Sequence, residues 1–356
     1  MVARCTRLDR SAVVLALAAC LAGCGSGSGS AASGSADGGA DGGGNCLSGA
    51  TTPCTSFTTP TGVTVQLGPY GAIMDPNVGT GFENQIQMGD NTGDSTYCQM
   101  FASIFAQSPA LTSELLNTNQ AGVNLNFALY TVYRPATWPS GPIPVITWGN
   151  GTCAQPEGYG ALLRYVASYG FFVVAANSRE AGSGTPPPML NALTYAAAAN
   201  MDSTSPYYQK LDMTRVGAMG HSQGGAATAT ASSDVRIKDI IMFSPVGATL
   251  SSVTKPYLVL SGDNDIAGFT PTSMASDIAA ATVPAAGIYF HMVPDTGNFS
   301  GHLTLMLQPQ RVVVPTKDWW LMMLESDATS KSEFEGSNCG LCNMASELQF
   351  EEQGLD

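Results

Sequence analysis

The chain has 356 residues, 44% hydrophobic and only 12% charged, with a formal net charge of −13. So acidic a composition, without basic clusters, argues against nucleic acid as a partner and against electrostatic docking on anionic lipid. The charge says nothing about fold. The length does: residues 57–326 contain no second linker and no internal repeat, which suits one large domain.

The first residues, MVARCTRLDR, carry Arg4, Arg7 and Arg10, and SAVVLALAACLA follows. A basic start, a short apolar core and small residues at its end describe a secretory signal. The apolar run is too short for a membrane-spanning helix, which needs about 20 residues. Leu21-Ala22-Gly23-Cys24 resembles the lipobox of bacterial lipoproteins, so residues 1–23 are expected to be removed and Cys24 lipidated. Gly25 is not the aspartate that retains lipoproteins at the inner membrane of enteric bacteria. In a Gram-negative host the expected address is therefore the outer membrane or cell surface, with secretion if the cysteine stays unmodified. Membrane contact is expected through this anchor only. Residues 25–45 are nearly all Gly, Ser, Ala and Asp, a composition that cannot bury enough apolar surface to order itself. Residues 24–56 thus read as a lipidated cysteine and tether, 57–326 as the folded domain with 69–124 an unassigned insertion, and 327–356 as a cysteine-containing tail.

Of nine cysteines, six follow the signal and Cys24: Cys46, Cys54, Cys98, Cys153, Cys339 and Cys342. An even number in an oxidising compartment predicts disulfides whose pairing the sequence does not resolve. The CGLC at 339–342 reads as a structural disulfide rather than a zinc or redox pair, because it has no second CxxC and no nearby histidine.

Apolar strand-like runs alternate with helical segments along the domain. NFALYTVY (126–133) and IPVITW (143–148) come first, followed by a helix over 157–168 ending at Gly170. FFVVAA (171–176) is the next strand and MLNALTYAAAAN (189–200) the next helix. RVGAM (215–219) leads into GGAATATAS, then come DIIMFS (239–244), KPYLVLSG (255–262), a helix near 272–281, and GIYFHMV (287–293). TKDWWLMMLES (316–326) closes the series and is expected to pack Trp319 and Trp320 on the sheet. Strands apolar along their whole length, separated by helices, predict an α/β fold: a mostly parallel sheet covered on both faces. Ligands in such sheets gather at the carboxyl ends of the strands.

Ser222, in GHSQG, lies at one of those ends. A chain with 40 glycines produces G-x-S-x-G by chance, so the motif needs support from elsewhere. A serine hydroxyl is a weak nucleophile unless a base takes its proton and a third group orients that base. The chain has three histidines. His221 adjoins the serine and reads as packing, and His291 sits in an apolar run and reads as core. His302, in a Gly-rich loop after the last of these strands, is the candidate base. LVLSGDNDIAG offers Asp263 and Asp265 as the acid, with Asp265 favoured and Asp295 an outside candidate. The order Ser, Asp, His is that of α/β-hydrolases. VITWGNGTC (145–153) is a strand followed by glycines, where backbone approaches a substrate closely. The backbone N–H groups of Asn150 and Gln223 are the candidate oxyanion donors. Trp148, Gly151 and Val246 are expected to line the substrate. No metal or cofactor is implied.

In combination these stretches resemble the cutinase-like polyester hydrolases, the α/β-hydrolase branch that includes bacterial PET hydrolases. SPYYQKLDMTRVGAMGHSQGG is similar to the family's nucleophile elbow, and SVTKPYLVLSGDNDIA to its acid segment, in which the position of Asp265 completes the triad. YGFFVVAANS matches a family strand, and WWLMMLESDATSKSEFEGSNC resembles the family's closing helix and tail. Three positions depart from the pattern: Asn150 replaces an aromatic residue, Gln223 a methionine and Val246 a tryptophan. The resemblance implies a serine esterase acting on short or medium acyl esters or on aliphatic polyester, with a weakened grip on aromatic polyester; a monomer is expected. Two other readings stay open: a lipase or phospholipid acetylhydrolase-like enzyme, and a non-catalytic surface binding protein that keeps the fold.

Overall fold

Runs such as Phe171–Ala176 and Ile240–Phe243 are apolar at every position, so a strand built from them must be covered on both faces. The computed structural model describes residues 45–46, 51–59, 61–79, 129–152, 154–177, 186–291 and 301–355. The signal, Cys24, Cys98, Cys153, Asp295 and most of 69–124 lie outside the described residues.

Three short strands, β1 (Asn45–Cys46), β2 (Ser56–Thr58) and β3 (Thr64–Gln66), form a small sheet. The main sheet is built from β4 (Ala72–Val78), β5 (Tyr130–Pro135), β6 (Ile143–Gly149), β7 (Phe172–Ala176), β8 (Leu211–His221), β9 (Ile237–Phe243), β10 (Tyr257–Gly262), β11 (Ala285–Phe290) and β12 (Leu348–Gln353). Its order is β12-β11-β10-β9-β8-β6-β7-β5-β4. The pairs from β7 to β11 are parallel, whereas β4, β5 and β12 are antiparallel to their neighbours. Among the described residues the α-helices are α1 (Gly160–Ser168), α2 (Pro187–Met201), α3 (Gln223–Ala231), α4 (Pro271–Ala279), α5 (Thr304–Leu307), α6 (Val313–Glu325) and α7 (Ala328–Phe334). None of the described helices is long and apolar enough to cross a membrane.

Side chains alternate between faces along each strand. Ile146, Trp148, Met219, Ile241 and Phe243 pack with α1 and α6, while Val145, Val216, Ala218, Ile240 and Met242 pack with α2, α3 and α4. Two apolar cores, one per face, hold the sheet. Trp319 and Trp320 of α6 are fully buried, as their sequence suggests. Gly217 of β8 makes room for Trp320, since a Cβ there would lie 2.6 Å from the indole ring.

Behind the same helix, the Trp319 indole N–H donates to the buried Asp239 carboxyl of β9. Burial pushes this acid well above the usual carboxylate range, more than the Trp319 and Ile240 N–H groups pull it down. An acid with a raised folded pKa stabilises the fold fully below its unfolded pKa, about 3.9, and that contribution is lost as pH rises toward the folded value. Asp239→Asn keeps an acceptor for Trp319 and never ionises. Its melting temperature is expected to exceed the wild type's at pH 8 and to converge with it near pH 4. A constant offset across that range contradicts the assignment.

Two edge strands are absent from the sequence reading. β4 comes from the unassigned 69–124 segment and carries Asp75, Pro76 and Asn77, with a register shift between Asp75 and Val78. β12 comes from the expected tail, with Leu348 buried and its last residues exposed. The tail is thus part of the sheet, and His291 N–H donates to Glu347 O at its entry. Within the expected tether, Cys46 and Cys54 are joined by a disulfide, and Cys54 bridges to Ala72. Cys339 and Cys342 form the second disulfide among the described residues.

Candidate active site

β8 runs into α3 through a single residue, Ser222, whose backbone sits at φ 55°, ψ −116°. That conformation is strained for any residue with a side chain. Three backbone hydrogen bonds enforce it: Ser222 N–H donates to Phe243 O (2.9 Å), and Ser222 O accepts from Ala226 and Val246 (both 3.1 Å). The turn also needs its glycines. A Cβ on Gly220 would lie 2.4 Å from Gly224 O, and one on Gly224 would lie 2.1 Å from Gly149 O. The start of α3 is therefore pressed directly on the end of β6.

Ser222 Oγ lies 3.0 Å from His302 Nε2, and His302 Nδ1 lies 2.8 Å from Asp265 Oδ1. Asp265 also accepts from Ala267 N–H (2.8 Å) and from the Ser261 hydroxyl (2.6 Å). Burial alone would raise the Asp265 carboxyl, but hydrogen bonding and charge from His302, with the Ser244 and Ser261 hydroxyls, hold it down at about 2. An ionised carboxylate only accepts, so His302 Nδ1 carries the proton and its Nε2 accepts from the Ser222 hydroxyl. A Cβ on Gly301 would lie 2.1 Å from Asp263 O, which seats the His302 loop on the acid turn. Asp263 itself points outward, 41% exposed, with its carboxylate 4.0 Å from His291 Nδ1. His291 is half-buried just beyond β11, not in the core, because the strand ends at Phe290.

Asn150 is buried at the end of β6. Its side chain accepts from the Trp148 indole N–H (2.8 Å) and donates to Ala176 O (2.8 Å). Its amide side chain is thus turned into the sheet end. Gln223 is the first residue of α3, where backbone N–H groups have no intrahelical acceptor and the helix dipole favours negative charge. Val246 is half-buried and tied to the Ser222 carbonyl.

Two expected substrate-lining residues lie elsewhere. Trp148 is 1% exposed and packs on Tyr159 and Phe243, because the two-residue period of β6 sends it into the α1/α6 core. Gly151 is buried beneath a side chain the sequence reading passed over: its N–H donates to the Tyr159 hydroxyl at 2.9 Å. Ser244 and Ser261, which brace Asp265, were also missed; at the ends of apolar strands they look like ordinary termini. No group of three or more metal-ligating side chains is placed to hold an ion among the described residues.

The family model described as PET hydrolase-like matches residues 118–278, a stretch that includes Ser222 and Asp265 and stops short of His302. No curated protein matches the chain. A match to this family implies a hydrolase acting on esters. With its nine-stranded, mostly parallel sheet, the chain has an α/β-hydrolase fold, and its residues 118–278 are similar to the PET hydrolase-like family.

Proposed function

We propose that this protein is a serine esterase that hydrolyses short- or medium-chain acyl esters, or aliphatic polyester, through an acyl-enzyme. The observation that carries the reading is the hydrogen-bonded series Asp265–His302–Ser222 on a strained strand-to-helix turn. As Ser222 Oγ bonds to the ester carbonyl carbon, its proton passes to His302 Nε2. His302 then returns that proton to the departing alkoxide as the C–O bond breaks. Asp265 stays ionised and keeps the imidazolium oriented. The N–H groups of Asn150 and Gln223 receive the charge that develops on the carbonyl oxygen. Water, deprotonated by His302, attacks the acyl-enzyme and frees Ser222.

The substrate preference follows from what flanks the serine. Where PET hydrolases carry aromatic residues, this chain has Asn150, with its side chain turned inward, and Val246. A stacked aromatic pair contributes about 0.5–1.5 kcal/mol beyond burial, so losing these flanks weakens binding of an aromatic polyester more than of an aliphatic one. With p-nitrophenyl acetate, butyrate, octanoate and palmitate, turnover is expected to peak at butyrate or octanoate, and polycaprolactone film to be degraded faster than PET film. A peak at palmitate favours the lipase-like reading instead, since a deep apolar tunnel gains about 0.8 kcal/mol per buried CH₂. Turnover no higher than that of Ser222→Ala overturns the proposal.

A further inference from the structure

The proposed reaction leaves two buried titratable side chains beside the triad unused, Tyr159 and His221, 1% and 3% exposed. His221 Nε2 lies 2.9 Å from the backbone carbonyl oxygen of His302. A carbonyl only accepts, so Nε2 carries the proton and Nδ1 presents its lone pair. The Tyr159 hydroxyl, 3.0 Å from Nδ1, must then donate to it, and its oxygen accepts from Gly151 N–H at 2.9 Å. Every donor and acceptor is used once, in one direction: Gly151 N–H to Tyr159, Tyr159 to His221, His221 to the His302 carbonyl. Burial, with His302 alongside, lowers His221 to about 3, so the neutral tautomer persists across any ordinary working pH. Burial likewise raises the Tyr159 hydroxyl, which stays protonated.

Only glycine fits at the start of this series, because a Cβ on Gly151 would lie 2.8 Å from both His221 Nδ1 and Tyr159 Oη. On its other side the same loop is pinned by the Gly149–Gly224 contact to the start of α3. We infer that Tyr159 and His221 are positioning residues, a strut that fixes the spacing between the Gly149–Gly151 loop and the backbone of His302. The inference rests on the esterase reading, in which that loop supplies an oxyanion donor and His302 the base. A strut of this kind acts on kcat, because the two groups must be in register when the tetrahedral charge develops.

Tyr159→Phe and His221→Phe are each expected to lower kcat about tenfold, since small misplacements of catalytic groups are costly, with KM changing less than about twofold. The double variant is expected to be no slower than the worse single one, because either change breaks the same series. Wild-type-like kcat in Tyr159→Phe, or losses that multiply, overturns the inference. Hydrogen exchange at the Gly151 amide gives a readout independent of turnover: protected in the wild type and faster in both variants. Equal protection in all three refutes the strut whatever the activity. Absence of Ser222-dependent turnover in the wild type, with the exchange difference intact, refutes the esterase reading alone.

Discussion

Replacing Ser222 by glycine is expected to abolish turnover and at the same time to stabilise the protein. The loss of activity is the larger effect, about 10⁶-fold in kcat by comparison with other serine hydrolases stripped of their nucleophile. The gain comes from the backbone. At φ 55°, ψ −116°, Ser222 holds a conformation that costs a residue with a Cβ roughly 1–3 kcal/mol and glycine much less. Glycine's extra freedom in the unfolded chain returns about 0.5–1 kcal/mol of that, leaving a net gain on the order of 1 kcal/mol. Ser222→Ala removes the same hydroxyl and keeps the strain. It should match the glycine variant in lost activity and show none of the added stability. Equal melting temperatures for the two variants would mean that the turn stores no strain.

Asp265→Asn is expected to lower kcat about 10⁴-fold, and Asp263→Asn less than about twofold. The amide still occupies the site between Ser261, Ala267 and His302. A neutral amide that offers N–H no longer enforces a proton on His302 Nδ1, and the wrong tautomer leaves Ser222 without an acceptor. The substitution also changes stability against pH. The folded Asp265 carboxyl is held at about 2, below its unfolded value near 3.9. Its contribution is therefore present above about pH 4 and lost as pH falls toward 2, a loss the asparagine variant lacks. Asp263 faces solvent beside His291, so neutralising it leaves the triad undisturbed. Retained activity in Asp265→Asn with loss in Asp263→Asn would reverse the assignment.

The parallel core of the sheet was legible because its strands must be apolar on both faces, and Phe171–Ala176 or Ile240–Phe243 satisfy no other arrangement so well. The edges were not. β4, with Asp75, Pro76 and Asn77, and β12, with Glu351 and Glu352, bury one side at most, so their polar residues hide them among loops. The three residues brought together at the elbow could be nominated because the chain offers so few histidines. Trp148 was misplaced for a local reason: beside a glycine-rich loop it looks like a substrate platform, yet the alternation of β6 turns it inward. His221 was unreadable for a non-local one. Its role depends on a tyrosine 62 residues before it and a carbonyl 81 residues after it, which only the folded chain brings together.

The central claim is that Ser222 is a nucleophile activated by His302. It is tested most directly by treating the folded protein with a fluorophosphonate and locating the adduct by peptide mass. The account predicts a single phosphonylated peptide, modified at Ser222, absent in Ser222→Ala and formed far more slowly in Asp265→Asn. No adduct, or one on another residue, would contradict it.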